Sequence, residues 1–326
     1  MRKIFLFFLL FLPLLQFCSK GGWTTYKLEE GYSPKNDIWS ICFDKEGNMW
    51  AGTSYGIYKN ETRKWTAQYI ENIYVQTLFI DDKNTKWAGL YNGGVYRCEG
   101  GNNWELMKGA SPANTVNVIT SDKKGNIWLG GWGGCIGSLN AKGEIDVKNK
   151  TGGAMIYKGK QWVSYKADEV KLGDNSVTSI VCDALDRTWF GTYHGLSMLE
   201  NGIWTIYNKE NSILPDNNIY SMASDSKGNI WIGTCNGLVK ISGSIWTVYT
   251  NENSGLTYDL ILSLATNANG EVWIGTNKGA FFFDGTKWIN FTVNNSGLTD
   301  NRVQTIVVHN NKVCFGTDKG ISVFEK

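Results

Sequence analysis

Asp225-Ser226-Lys227-Gly228-Asn229-Ile230-Trp231-Ile232-Gly233-Thr234-Cys235-Asn236-Gly237-Leu238 carries the pattern that decides the fold of this chain. Its centre is a Trp followed two residues later by Gly and then Thr. That centre returns at Trp50-Ala51-Gly52-Thr53, Trp87-Ala88-Gly89-Leu90, Trp128-Leu129-Gly130-Gly131, Trp189-Phe190-Gly191-Thr192 and Trp273-Ile274-Gly275-Thr276, and with Cys for Trp at Cys314-Phe315-Gly316-Thr317. Successive copies are 37, 41, 61, 42, 42 and 41 residues apart, so one copy carries an insertion in an otherwise steady period. A strand-rich unit of about 40 residues is the size of one β-propeller blade.

Within the unit the turn chemistry marks four strands. Ile219 to Ser224 reads as a strand entering the core, and Asp225 to Asn229 as a tight hairpin in which Gly and Asn tolerate positive φ. Ile230 to Thr234 is apolar on both faces, as expected of a strand sandwiched between sheets. Leu238 to Ile241 and Trp246 to Tyr249 complete the blade. The Gly two residues after each Trp is expected to let the neighbouring sheet approach closely.

A second series, Trp23, Trp65, Trp104, Trp162, Trp204, Trp246 and Trp288, marks the outer strands. It begins before the first Trp-x-Gly-Thr copy, and the last copy is followed only by Ile321 to Lys326 with no such Trp. Seven blades follow, the last closed by the N-terminal strand around Trp23, so that no sheet edge is left open. Of the 15 Trp, 13 lie in these two series and are accounted for by packing. Trp39 aligns with Tyr220 and reads as an inner-strand residue, which leaves Trp132 as the Trp with a claim to function.

The expected organisation is a signal segment at 1–20 and an all-β, seven-bladed propeller over 21–326, with the insertion at about 133–152. Met1-Arg2-Lys3 followed by the apolar run Ile4 to Leu15 reads as an export signal. Leu15-Gln16-Phe17-Cys18-Ser19 resembles a bacterial lipoprotein cleavage box, which would make Cys18 the acylated residue. Phe17 stands where such boxes carry a small residue, and an ordinary signal is the other reading. Either way the propeller is exported, to the periplasm or to the cell surface, and on the lipoprotein reading a lipid is its membrane attachment. The balance of 32 basic and 30 acidic residues gives no electrostatic case for nucleic acid. No Cys-x-x-Cys pair occurs, so neither a metal site nor a cofactor is expected, and Cys135 and Cys235 are the expected free thiols.

The string from Asn211-Ser212-Ile213-Leu214-Pro215-Asp216 through Asp225-Ser226-Lys227-Gly228-Asn229-Ile230-Trp231-Ile232-Gly233-Thr234 to Leu238 resembles the repeat of two-component regulator propellers. Further good copies run over Asn36 to Gly56, Asp183 to Leu196, Asn253 to Gly279 and Asn295 to Gly320. The resemblance implies the propeller fold and a ligand-sensing role outside the cytoplasm. No kinase, DNA-binding domain or later membrane helix is read in this chain, so signalling is expected to pass through a membrane sensor kinase or an envelope protein in trans.

Function on such scaffolds lives in the loops. The loops after the second strands carry Tyr55, Tyr91-Asn92, Trp132, Tyr193-His194, Asn236 and Lys278. Blades 1 to 4 present aromatics there and blades 5 to 7 amides and charges, with the insertion beside Trp132. Aromatic faces with amides nearby suit a carbohydrate, whose C–H faces stack while its hydroxyls hydrogen-bond. The expectation is a monomeric, non-catalytic module that binds an extracellular glycan, small molecule or partner protein through Tyr55, Tyr91, Asn92, Trp132, Tyr193, His194, Asn236 and Lys278. A scaffold of an envelope complex, with the insertion as its docking element, is the alternative from another class. A lyase or hydrolase is the third reading, and it would depend on His194, since the only other histidine, His309, sits at a hairpin turn.

Overall fold

The computed structural model describes residues 22–28, 36–62, 64–71, 73–110, 115–133, 138–139, 145–146 and 152–326. The signal segment with Cys18, and Cys135 with most of the insertion, lie outside the described residues. Within the insertion, Ser138–Leu139 pairs antiparallel with Ile145–Asp146.

Seven four-stranded antiparallel sheets make up the rest, and no helix occurs among the described residues. Blade 5 shows the plan, with Ile219–Ser224, Ile230–Thr234, Gly237–Ser242 and Ile245–Tyr249 succeeding one another outward. The second strands Met49–Thr53, Ile127–Gly131, Thr188–Thr192, Ile230–Thr234 and Val272–Thr276 are buried at every residue, because both of their faces meet a neighbouring blade.

The Gly of each Trp-x-Gly-Thr copy is the point of closest approach. A Cβ built on Gly233 would stand 2.5 Å from Cγ2 of Ile261, the first inner-strand residue of blade 6. The same meeting occurs at Gly52 with Val75 (2.9 Å), Gly89 with Val116 (2.8 Å), Gly130 with Val177 (2.6 Å), Gly191 with Ile219 (2.6 Å) and Gly275 with Val303 (2.9 Å). Gly316 with Ile38 (2.8 Å) brings the series back to blade 1. All seven β-branched partners are 0% exposed. Ring closure is completed by Trp23–Tyr26, which pairs with the C-terminal strand in the register Trp23↔Phe324 to Tyr26↔Ile321. The Trp23 ring lies 5.5 Å from Phe315 and 5.1 Å from Phe324 between centroids.

Four of the six Trp residues of the repeat, Trp50, Trp87, Trp189 and Trp231, are tied down by a turn acid at the opposite end of the blade. Asp225 Oδ1 accepts the Lys227 and Asn229 amides at 3.0 and 2.9 Å, and Oδ2 accepts Asn229 Nδ2 at 2.7 Å and Trp231 Nε1 at 3.1 Å. Asp44, Asp81 and Asp183 hold Trp50, Trp87 and Trp189 in the same way at 2.9, 3.1 and 2.9 Å. In blade 3, Asp122 Oδ2 takes Asn126 Nδ2 instead, and Trp128 Nε1 has no partner among the described residues. The acids read as turn residues are therefore structural. Burial opposes their ionisation, but the indole and amide donors outweigh it and hold Asp44, Asp183 and Asp225 below the ordinary carboxylate range.

Two stability measurements test this scheme. Gly233→Ala is expected to lose about 1–3 kcal/mol by overpacking against Ile261, read as a lower urea midpoint at unchanged slope. Gly100→Ala, where a Cβ meets nothing within 4 Å, is expected to stay within about 0.5 kcal/mol of the parent. Asp225→Ala is expected to cost about 1–3 kcal/mol by orphaning the Trp231 indole and two amides. Because the folded pKa is depressed, this contribution is complete above the unfolded value of about 3.9 and disappears as pH falls through the folded one. The difference between parent and Asp225→Ala should therefore shrink only below about pH 4.

Candidate functional site

At the other end of the blades, the Thr of the repeat builds the loop after the second strand. Thr234 Oγ1 donates to the Gly237 carbonyl at 2.8 Å and accepts the Asn236 amide at 3.1 Å. Thr53, Thr192, Thr276 and Thr317 make the same pair of bonds. Gly237 follows with φ 128°, where a Cβ would lie 2.6 Å from the Tyr249 carbonyl oxygen. The loop thus offers two side chains of different aspect.

The second of these ties back to the chain entering its own blade. His194 Nδ1 meets Asp174 Oδ2 at 2.8 Å, Asn236 Nδ2 donates to Asp216 Oδ2 at 2.8 Å, and Lys278 Nζ sits 5.9 Å from the Tyr258 ring centre. Tyr55 and Asn92 occupy the same second place, and the Asn92 amide donates to Thr115 Oγ1 at 3.4 Å. The first of the two is Tyr91, Trp132 or Tyr193 in blades 2, 3 and 4, and these three line a cavity of about 480 Å³ at the mouth of the central channel. Of the residues named from the sequence, the structure gathers these three on the cavity. Tyr55, Asn92, His194, Asn236 and Lys278 are not among its lining residues.

The rest of the lining comes from a feature the sequence does not announce. In every inner strand the pairing with the second strand slips at the second residue, as between Ile38 and Ser40, Ile219 and Ser221, or Val303 and Thr305. A β-bulge re-aims the extra side chain. The seven bulged residues are Trp39, Gln76, Asn117, Thr178, Tyr220, Leu262 and Gln304, and all seven line the cavity. Trp39, read as an inner-strand residue, is one, and the bulge makes it a channel residue. Its ring lies 5.1 Å from Tyr74, which lies 5.4 Å from Tyr91, and Tyr193 meets Tyr220 edge-on at 5.9 Å.

An arc of aromatic rings thus runs from blade 1 to blade 5, interleaved with the amides of Gln76 and Asn117. Asn117 Nδ2 donates to the Val177 carbonyl at 3.0 Å, which turns its amide oxygen free to accept. Burial raises the Tyr74, Tyr193 and Tyr220 phenols above their ordinary range, Tyr220 to about 12. They remain neutral hydroxyls at physiological pH. His309, the other histidine, stacks on Phe43 at 4.1 Å, at the end of its inner strand far from this mouth. Among the described residues no three His, Cys, Asp or Glu side chains gather as a metal site would require. Cys42, Cys98, Cys182, Cys235 and Cys314 are free, and burial pushes the Cys182 and Cys314 thiols up to about 12.

Comparison with known proteins agrees with this architecture. The family model described as Two component regulator propeller matches residues 32–55, 110–133, 171–194 and 213–236. Among curated proteins none matches the chain. The extracellular domain of BT3049 from B. thetaiotaomicron, titled as part of a hybrid two component system, superposes with a TM-score of 0.76 at 22% identity over 93% of this chain and 41% of its own. That of BT4673 from the same organism gives 0.73 at 21% identity, over 93% and 39%. Virginiamycin B lyase from Staphylococcus aureus gives 0.72 at 12% identity, over 93% and 99%. The chain thus spans about two fifths of the length of the first two. At these identities the likeness is one of fold. The chain is a seven-bladed β-propeller in which four stretches, each in a different blade, match the two-component regulator propeller repeat.

Proposed function

We propose that this propeller is an exported, non-catalytic sensor module that binds a carbohydrate at the channel mouth and signals through a membrane partner in trans. The observation that carries the reading is the lining of the 480 Å³ cavity, where an aromatic arc is interleaved with amide and hydroxyl side chains from different blades. Flat apolar faces with polar edges match the alternation of C–H faces and hydroxyls on a sugar ring. The repeat family and the likeness to extracellular domains of two-component systems support a sensing role. Anchoring through Cys18 would hold the module at the membrane.

The likeness to a lyase, together with the His194–Asp174 contact, supports a second reading in which His194 is a general base. A base must reach the reacting proton, and His194 stands 70% exposed on the rim, outside the cavity lining. The binding reading is therefore preferred.

Screening a glycan array with the mature protein, followed by calorimetry on the best ligand, tests the site. Trp132→Ala and Tyr193→Ala are each expected to weaken binding about tenfold, worth ~1.4 kcal/mol, with the melting temperature unchanged for the exposed Trp132. Affinity unmoved by either substitution would sink the carbohydrate site. Turnover of a bound ligand that His194→Ala abolishes would favour the lyase instead. Incorporation of labelled lipid in cells, lost in Cys18→Ser, is the expected result for the anchor, and label retained by that variant would exclude it.

A further inference from the structure

A second cavity of about 450 Å³ opens beside the mouth, between blades 7 and 1, and shares Trp39, Arg302 and Gln304 with it. Its remaining lining is Asp37, Asp300, Asp318 and Lys319. Two of the three acids have cationic partners. Lys319 Nζ lies 2.7 Å from Asp300 Oδ2, and Arg302 Nη1 lies 3.9 Å from Asp318 Oδ2, whose Oδ1 also accepts Gln304 Nε2 at 3.1 Å.

Asp37 has none. It is 8% exposed, its Oδ2 accepts Trp39 Nε1 at 3.2 Å and the Ser54 hydroxyl, and its Oδ1 has no hydrogen-bond partner among the described residues. A buried acceptor left unpaired costs free energy, and a buried carboxylate more than a neutral group. The fold does not require an acid here. The residue just before the inner strand is Tyr74, Thr115, Ser176, Asn218, Leu260 or Arg302 in the other six blades. Blade 1 alone combines an acid at this place with a Trp at the bulge, and the two side chains are bonded to each other.

We infer that Asp37 and Trp39 form a subsite for a protonated amine, so that the ligand of the mouth is an amino sugar with a free ammonium group rather than a neutral or acidic one. This rests on the carbohydrate reading of the mouth. The charges of the notch leave one carboxylate in excess, which an ammonium neutralises. Its N–H donors offer the Asp37 carboxylate a charge-assisted bond. The Trp39 ring, whose Nε1 edge holds that carboxylate, lines the same notch. Through Trp39, which borders both cavities, a ring stacked in the aromatic arc keeps its amine within reach of Asp37. An anionic sugar would meet an unpaired buried carboxylate, and an N-acetyl group would lose the charge.

Calorimetry on the full mature protein, with a glucosamine tetramer and its N-acetylated counterpart at pH 6, tests the subsite, and a thermal-shift titration with butylammonium reports on the notch without a sugar. The expected result is binding of the free-amine tetramer roughly tenfold or more tighter than the acetylated one. Asp37→Asn, which keeps the acceptor facing Trp39, should bring the two to equal affinity, while Trp132→Ala should weaken both. Equal affinity of the two tetramers for the parent protein would overturn the amine subsite and leave the carbohydrate reading standing. A preference for the amine that survives in Asp37→Asn would overturn it as well. Should neither tetramer bind, a butylammonium shift lost in Asp37→Asn would keep the subsite while the carbohydrate reading falls, and no such shift would end both.

Discussion

The contact on which this molecule depends is the one between a glycine on the second strand of each blade and a β-branched residue at the head of the next blade's inner strand. Seven such contacts, from Gly52 with Val75 round to Gly316 with Ile38, leave no space for a single methyl group. Interiors packed at crystal density tolerate little change of volume, so each contact fixes the distance and tilt between two sheets. The ring closes only because all seven are alike, and the last is made across the joint where the two ends of the chain meet.

The same constraint creates the channel mouth. Once Ile38, Val75, Val116, Val177, Ile219, Ile261 and Val303 are buried against their glycines, the bulge that follows each of them releases the next side chain from the alternation of the strand. Trp39, Tyr220, Leu262 and the polar residues at the four other equivalent places are then carried by the most rigid part of the scaffold. A site held on strands in this way is better positioned than one held on loops. The polar bonds divide along the same lines. Asp and Trp lock one end of the blade, Thr and Gly the other, and neither set reaches the axis.

How much of this was legible follows from what each residue type signals. The blades, their number and their closure by Trp23 were readable because Trp, Gly and turn residues recur at a fixed period, and the structure bears them out. Tyr91, Trp132 and Tyr193 were readable as loop aromatics without a packing partner. Tyr55 looked the same, but it stands one place later in its turn, after Ser54, and that single step turns it from the cavity. Trp39 and Tyr220 were missed because a strand residue is assigned a face by alternation, and a bulge breaks that rule without a Gly or Pro to mark it. The signal was present in the repeats themselves. The inner strands read Ile or Val at their first residue in all seven copies, whereas the second is Trp, Gln, Asn, Thr, Tyr, Leu or Gln. A position that varies inside a constant frame is free of packing and open to function.

The seam between blades 7 and 1 is where architecture and chemistry meet. Blade 7 is assembled from the two ends of the chain, and its neighbour contributes Trp39 and Asp37 to the cavity that spans the joint. A ligand seated there would touch the first complete blade and the last. By mass action, such a ligand would stabilise the arrangement of blades 7 and 1 that forms the cavity, by an amount that grows with the logarithm of its concentration.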